Sequence, residues 1–533
     1  FDRRNYSMKI FILIICFFSL SLSGNTVYKG DKGFMITEFE DGLLDTFDFI
    51  VKGHIKDAGN GFPSLLVEFT DSIIRECGIA AGMSGSPSYI NGELYGALSS
   101  TWAFIKKPMG NITPIEEMYK LRKIEGSSRQ FSKNKLYINF RPPDFSAFTD
   151  SLLKEFQIDI VSANTSNKTY PLTPGHLIGI SLIQGDMNAA VMGTITERRG
   201  NEIFAFGHPA FGLGSVSLPM VSGKTITTVS SNFISFKLPE MGNIVGTVKK
   251  DGYCGIYGIL DEKPDTLPLE ISVNNAKFNY ILANSPDLTP FLFLMCIYHS
   301  SYKAFLQDKL GGFKANINIK SDSFTINFHA YYTRREAPHN IIYDMYDIVS
   351  YLNYNSDNKI HINNIKLSLS TINDDPFRTI NKVSVVPIKT YNKSEFIIDI
   401  NLKKYRGDNA NIKLSVKPRR LKPGNYKLKI LGRGDYISLL KNSGKLKYEN
   451  IEDYINILNS APKDNYLYII ITADKRMPII SDKSYPYMSI KDKSILKKTT
   501  PKYVNTIVYH DSVKANFVPI GIGQSTFEIL EEK

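Results

Sequence analysis

Between Phe34 and Phe69 the chain is cut into short apolar stretches, among them TFDFIVKG and SLLVEFTD, separated by Gly, Asp and Asn. This punctuation limits the fold more than any other feature. Apolar residues spaced two apart place one face of a strand against a core, whereas a helix needs a period near 3.6. A chain broken this often folds into sheets joined by tight turns. The texture returns at TYPLTPGHLIGISLIQGD from Thr169 and at AAVMGTITERRGNEIFAF, where Arg199-Gly200-Asn201 joins two apolar strands. PSYINGELYGALSS reads as a hairpin turning at Asn91-Gly92, the dipeptide best suited to a two-residue hairpin loop. The 30 Tyr and 32 Phe residues favour the same mainly β reading, because aromatic side chains pack well on pleated surfaces.

At 533 residues the chain is too long for one hydrophobic core, so several domains are expected. After Asp261 the texture changes. TPFLFLMCIYHSSYKAFLQDKL and HNIIYDMYDIVSYL read as helices among alternating strands, which makes residues 271–370 a mixed helix and strand region. DNANIKLSVKPRRLKPGNYKLKI has the turn spacing of a β-sandwich, assigned to residues 371–475, with NIEDYINILNSAP as its closing helix. Residues 476–533 read as an extended, lysine-rich C-terminal tail. In the first half TPIEEMYKL reads as a helix in which Thr113 caps, Pro114 takes the first turn and Glu116 supplies the capping-box acid. A further helix is expected around Phe148 to Phe156.

Met8 and Lys9 precede the apolar run Ile10 to Phe18 and a small-residue exit at Ser19 to Gly24, the layout of a signal peptide. Residues 1–24 are therefore read as upstream residues and a leader cleaved near Ser23, and the mature protein as exported: periplasmic, envelope-associated or secreted. Loss of Cys16 with the leader leaves Cys77, Cys254 and Cys296, which allow one disulfide at most, Cys77 to Cys254 among the pairings. A net charge of +12 is spread thinly and mixed with acids, so it reads as a solvated surface rather than a nucleic-acid site. No metal or cofactor is expected: there is no CxxC, and FGLGS and GIGQS lack the partners of a dinucleotide fingerprint.

GIAAGMSGSPSYINGELYGA, residues 78–97, carries the chemistry. A serine hydroxyl is a poor nucleophile at neutral pH; acyl transfer needs a base to take its proton and backbone N–H groups to hold the oxyanion. The Gly82 to Pro87 segment suits both needs. Gly82 lets the backbone present its N–H beside that of Ser84, Gly85 removes a side chain that would crowd a carbonyl, and Pro87 fixes the exit. A tight turn feeding the Asn91-Gly92 hairpin is the competing reading, with Ser86 and Ser88 structural in either case.

CGIAAGMSGSPSYINGELYGALSS, with NITPIEEM and FAFGHPAFGLG, resembles the SpoIVB-type serine peptidases, a family named for a stage IV sporulation protein. The resemblance spans roughly residues 30–260, a Ser block at 30–125 and a His block at 169–262, and is not visible in the C-terminal half. It implies a serine peptidase domain over 25–270, Ser84 as nucleophile, His208 as general base, and an oxyanion hole from the N–H groups of Gly82 and Ser84. It also implies a chymotrypsin-like double β-barrel, and Thr70-Asp71 offers the triad acid, at a slightly shorter spacing to the serine than in the family. A displaced acid or a backbone carbonyl could substitute for Asp71. In the sporulation protein the His block precedes the serine block, whereas here His208 follows Ser84. Triads are defined by geometry, so the inversion implies a circularly permuted barrel pair with the site at its seam.

Other residues compete. His54 lies too near the serine in sequence to leave a barrel between them, and His176 reads as a turn histidine. His299, His329, His339, His361 and His510 have no carboxylate neighbours at metal spacing. Arg406-Gly407-Asp408 reads as a turn, and Trp102 and Phe104, which follow the hairpin, could line a substrate cleft but read by default as packed core. The expected partners are a protein or peptide substrate, this chain itself included. The rival class is an inactive envelope protein of peptidase fold that binds a partner through its C-terminal half.

Overall fold

Asp41 and Gly42 take φ of 51° and 74°, and Asn91 and Gly92 take 52° and 82°. Two successive positive φ values are what a type I′ hairpin turn requires, so these dipeptides set the register of the strands they join. The computed structural model describes residues 26–57, 61–126, 134–140, 158–305, 311–333, 337–354, 360–391, 395–417, 421–442, 446, 449–480, 483–484 and 502–531. The leader assigned to residues 1–24 and the helix expected at 148–156 lie outside them. Two units divide the chain, Phe1–Thr266 and Leu267–Lys533.

In the first unit, β1 (Lys32–Glu40), β2 (Leu43–Ile55), β3 (Ser64–Phe69), β4 (Pro87–Ile90), β5 (Glu93–Thr101) and β6 (Met109–Pro114) form a closed barrel in the order β1-β2-β3-β6-β5-β4. Its core follows the period of two: Phe47, Phe49 and Val51 from β2 and Leu65, Val67 and Phe69 from β3 are buried together. Each such side chain contributes about 1.5–3 kcal/mol on leaving water. A short helix, α1 (Ser72–Cys77), leads from β3 towards the 78–86 loop. After β6 the chain forms a second short helix, α2 (Ile115–Tyr119).

Next come β7 (Asn134–Ile138), β8 (Ile158–Ser162), β9 (Asn164–Thr165), β10 (Leu177–Gly185), β11 (Ala189–Arg199), β12 (Glu202–Ala205), β13 (Gly214–Val229), β14 (Phe236–Gly252) and β15 (Gly255–Leu260). β10 pairs with both β11 and β13, and the ladders β13-β14, β14-β15, β15-β12 and β12-β11 complete a second six-stranded ring. The two rings meet along β1 and β13. Glu38, 1% exposed, accepts hydrogen bonds from Thr225 N (2.7 Å) and Leu177 N (3.4 Å), and Thr228 Oγ1 donates to the Phe39 carbonyl at 2.7 Å.

In the second unit, helices Thr289–Phe305 and Ala337–Tyr354 stand where the sequence places them. No helix among the described residues is long and apolar enough to cross a membrane. Two sheets share a core: Val383, Val385, Ile398 and Ile400 come from one, and Leu428, Ile430, Ile469 and Phe527 from the other. The expectation of an extended tail is corrected here. Strand Ile522–Leu530 pairs from Ile522 to Ile529 with Gly424–Leu431, and Lys502–Lys514 pairs with Tyr466–Ile480. Alternation in STFEIL buries Phe527 and Ile529 and outweighs the lysine-rich composition that suggested a tail.

Two smaller expectations also change. Thr113 does not cap α2: Pro114 occupies that place, and the buried Thr113 Oγ1 donates to the Gly207 carbonyl at 2.8 Å. Cys77, Cys254 and Cys296 are each buried and free, so no disulfide forms among them.

Candidate active site

Ser84 lies in the loop between α1 and β4, and β11, β14 and the turn after β12 hold that loop from the second ring. Ala81 N donates to the Ser235 carbonyl at 2.7 Å, and Lys237 N donates to the Ala81 carbonyl at 2.9 Å. Thr194 N donates to the Ser84 carbonyl at 2.8 Å, while Thr194 Oγ1 and Thr196 Oγ1 donate to the Gly82 and Gly85 carbonyls at 2.8 and 2.7 Å. The Met83 carbonyl accepts from Ser86 N at 3.0 Å and Ser86 Oγ at 2.6 Å. Every carbonyl from Ala81 to Gly85 is thus tied inward.

A trans peptide points its N–H opposite its carbonyl. With the Ala81 and Met83 carbonyls anchored, the N–H groups of Gly82 and Ser84 point the other way, and among the described residues neither has a hydrogen-bond partner. Backbone donors in folded proteins are almost always paired, so two open ones within three residues are available to an acceptor from outside the chain. Gly82 and Gly85 make this possible at φ of 94° and 97°, where other residues are strained. A Cβ on Gly85 would stand 2.0 Å from the Thr194 carbonyl oxygen and 2.5 Å from Phe206 N. Ser84 itself is half-buried.

Phe206 and Gly207 take positive φ of 73° and 70° in the turn that delivers His208. Thr113 secures that turn from β6, and a Cβ on Gly207 would meet the Leu98 carbonyl oxygen at 2.9 Å, so it sits against β5. The serine loop and the histidine turn are therefore packed against each other. His208 Nδ1 is 2.7 Å from the Pro209 carbonyl oxygen. A carbonyl only accepts, so Nδ1 carries the proton and the neutral ring keeps a lone pair on Nε2, the form a general base needs. Burial lowers the His208 pKa below the ordinary imidazole value, against the opposing pull of the Pro209 hydrogen bond, and leaves the ring neutral at pH 7.

Neither of the expected triad contacts is made among the described residues. No hydrogen bond joins Ser84 Oγ to His208 among the described residues. Asp71 does not reach His208: its Oδ1 accepts from Ile73 N at 2.8 Å as the N-cap of α1. An aspartate directly before a helix start satisfies an otherwise open N–H of the first turn, and that local interaction takes the carboxylate. His54 Nε2 donates to the Val27 carbonyl at 2.9 Å, and His176 pairs with Thr173, which leaves both outside the site. Trp102 and Phe104 are 49% and 72% exposed, which overturns their default reading as core; Phe104 packs at a tilt against the exposed Phe233, with centroids 5.1 Å apart.

Two site residues escaped the sequence reading. Asp251 is fully buried and accepts from Ala210 N (2.8 Å), Phe211 N (2.7 Å) and Leu213 N (3.3 Å), clamping the loop that follows His208. Burial pushes its carboxyl up to about 6 against those N–H groups. In sequence Asp251-Gly252 resembles ordinary turn chemistry and carries no signal. Lys237, 1% exposed, donates to Thr37 Oγ1 at 2.6 Å and Thr194 Oγ1 at 3.2 Å. A lysine inside the apolar stretch FISFKLPEM was its only mark.

Among the described residues, no group of three or more His, Cys, Asp and Glu side chains could hold a metal ion. Comparison with family models, with curated proteins and with solved structures finds no match for this chain.

Proposed function

We propose that the chain is an exported serine endopeptidase or self-processing peptidase of the SpoIVB type, built on a circularly permuted, chymotrypsin-like pair of barrels. The observation that carries this reading is the pair of open N–H groups of Gly82 and Ser84 flanking a half-buried serine. Ser84 Oγ attacks the scissile carbonyl carbon while His208 Nε2 takes its proton, and the two N–H groups receive the negative oxygen. Collapse breaks the C–N bond as the imidazolium returns the proton to the departing amine, and water hydrolyses the acyl ester by the same route. Pro209 holds the imidazole tautomer in place of a carboxylate, which supports turnover at a reduced rate.

A second reading, a peptidase-fold envelope protein that binds a partner without cleaving it, is favoured by the missing Ser84 to His208 hydrogen bond. Apo sites often close this contact only with substrate bound. Labelling with a fluorophosphonate separates the two. The peptidase reading expects one label on Ser84, none in Ser84→Ala, and labelling slowed at least 100-fold in His208→Ala. Absence of any Ser84-dependent label, with no self-cleavage on storage, leaves the binding protein.

A further inference from the structure

A lysine is almost never fully buried unless something pairs with it, and Lys237 is 1% exposed in the seam between the rings. Its backbone and side chain act on the same loop. Lys237 N holds the Ala81 carbonyl, and with it the direction of the Gly82 N–H. Its stem lies against Gly82: a Cβ there would sit 3.2 to 3.4 Å from Lys237 Cβ, Cδ and Cγ. Lys237 Nζ donates to Thr194 Oγ1, which donates onward to the Gly82 carbonyl. Donors aligned in one direction polarise one another, so the amine and the loop are electrostatically connected.

We propose that Lys237 is a positioning residue of the anion-binding loop, holding Gly82 through Thr194 and placing a positive charge behind the Gly82 carbonyl. This rests on the peptidase reading of Ser84 for its effect on rate, but the placement of the loop stands apart from it. Glu38, on β1, is the charged group that acts on Lys237, and its own carboxylate is held by Thr225 and Leu177 N–H. Thr37, also on β1, and Thr194, on β11, complete the polar surroundings of the amine. Burial brings the ammonium down to about 7, opposed by Glu38, so the charge is present below neutrality and lost above it.

The test compares phosphonylation of Ser84 in the wild-type protein and Lys237→Met from pH 6 to 9. At pH 6.5 the wild type reacts about 10- to 100-fold faster, the scale of a lost oxyanion contribution. At pH 9, where both side chains are neutral, the ratio falls towards 1. Thr194→Val, which keeps the charge but cuts the relay, slows labelling across the whole range, and Thr194→Ser restores it. A ratio that does not change with pH overturns the proposal while leaving the peptidase reading intact. A measurement on the unmutated chain does not depend on activity or on a variant's folding. Carbonyl-¹³C alanine with ¹⁵N glycine marks only the Ala58-Gly59 and Ala81-Gly82 peptides of the sequence. The Ala81-Gly82 amide signal is expected to titrate near pH 7, and a signal that stays fixed from pH 6 to 8 overturns the proposal.

Discussion

Replacing Gly85 by alanine tests whether the serine loop is set by close backbone contact between the two rings. Two costs add. A residue with a Cβ in the left-handed region loses about 1–2 kcal/mol. The new methyl would also stand 2.0 Å from the Thr194 carbonyl oxygen and 2.5 Å from Phe206 N. Both are backbone atoms and cannot swing aside, so the loop must retreat by more than about 1 Å, and overpacking of this kind costs about 1–3 kcal/mol. Gly92→Ala is the control: Gly92 also has positive φ, 82°, but nothing lies within 4 Å of its Cβ position. Gly85→Ala should therefore destabilise by about 2–5 kcal/mol and Gly92→Ala by about 1–2 kcal/mol. Trp102 is the only tryptophan and lies in the first unit, so its fluorescence during urea unfolding reports that unit. A displacement near 1 Å at the nucleophile also predicts about 100-fold slower phosphonylation in Gly85→Ala, with Gly92→Ala close to the wild type. Equal midpoints and equal labelling rates for the two variants would refute the close-contact account of the loop.

Three further expectations concern the two acids and the exposed ring of Phe104. Asp71→Ala should cost about 1 kcal/mol, the worth of a helix N-cap, and change Ser84 labelling by less than about threefold. Asp251→Asn turns an acceptor into a donor facing backbone N–H groups and should slow labelling by about 100-fold through displacement of the His208 turn; the reverse ranking in parallel rate measurements would return the orienting role to Asp71. Phe104→Ser removes an exposed ring and should raise KM for a polypeptide substrate several-fold while leaving the rate with a small fluorophosphonate unchanged, so a fall in both would show that Phe104 supports the loop rather than the substrate.

Much of the fold is legible in short windows, because strand period and turn chemistry are local. Asn91-Gly92 and the alternation of Phe47, Phe49 and Val51 specify a hairpin and a buried face without reference to the rest of the chain. The same holds for the helix at Thr289–Phe305. The strands of the C-terminal segment are not legible this way, because its lysines mask a period-two pattern that needs strand Gly424–Leu431 beside it to become a sheet.

The site divides along the same line. By itself the sequence determined that Gly82 to Pro87 forms a glycine-bent loop able to present a serine, since φ preference and side-chain size belong to single residues. Only the tertiary structure decided which groups serve that loop. Asp71 was drawn to the nearest helix start, Asp251 and Thr113 were brought from far along the chain to hold the histidine turn, and Lys237 was placed behind Gly82. A buried hydrogen bond depends on which strands become neighbours, and that is settled by the closing of the two rings rather than by any stretch of residues alone.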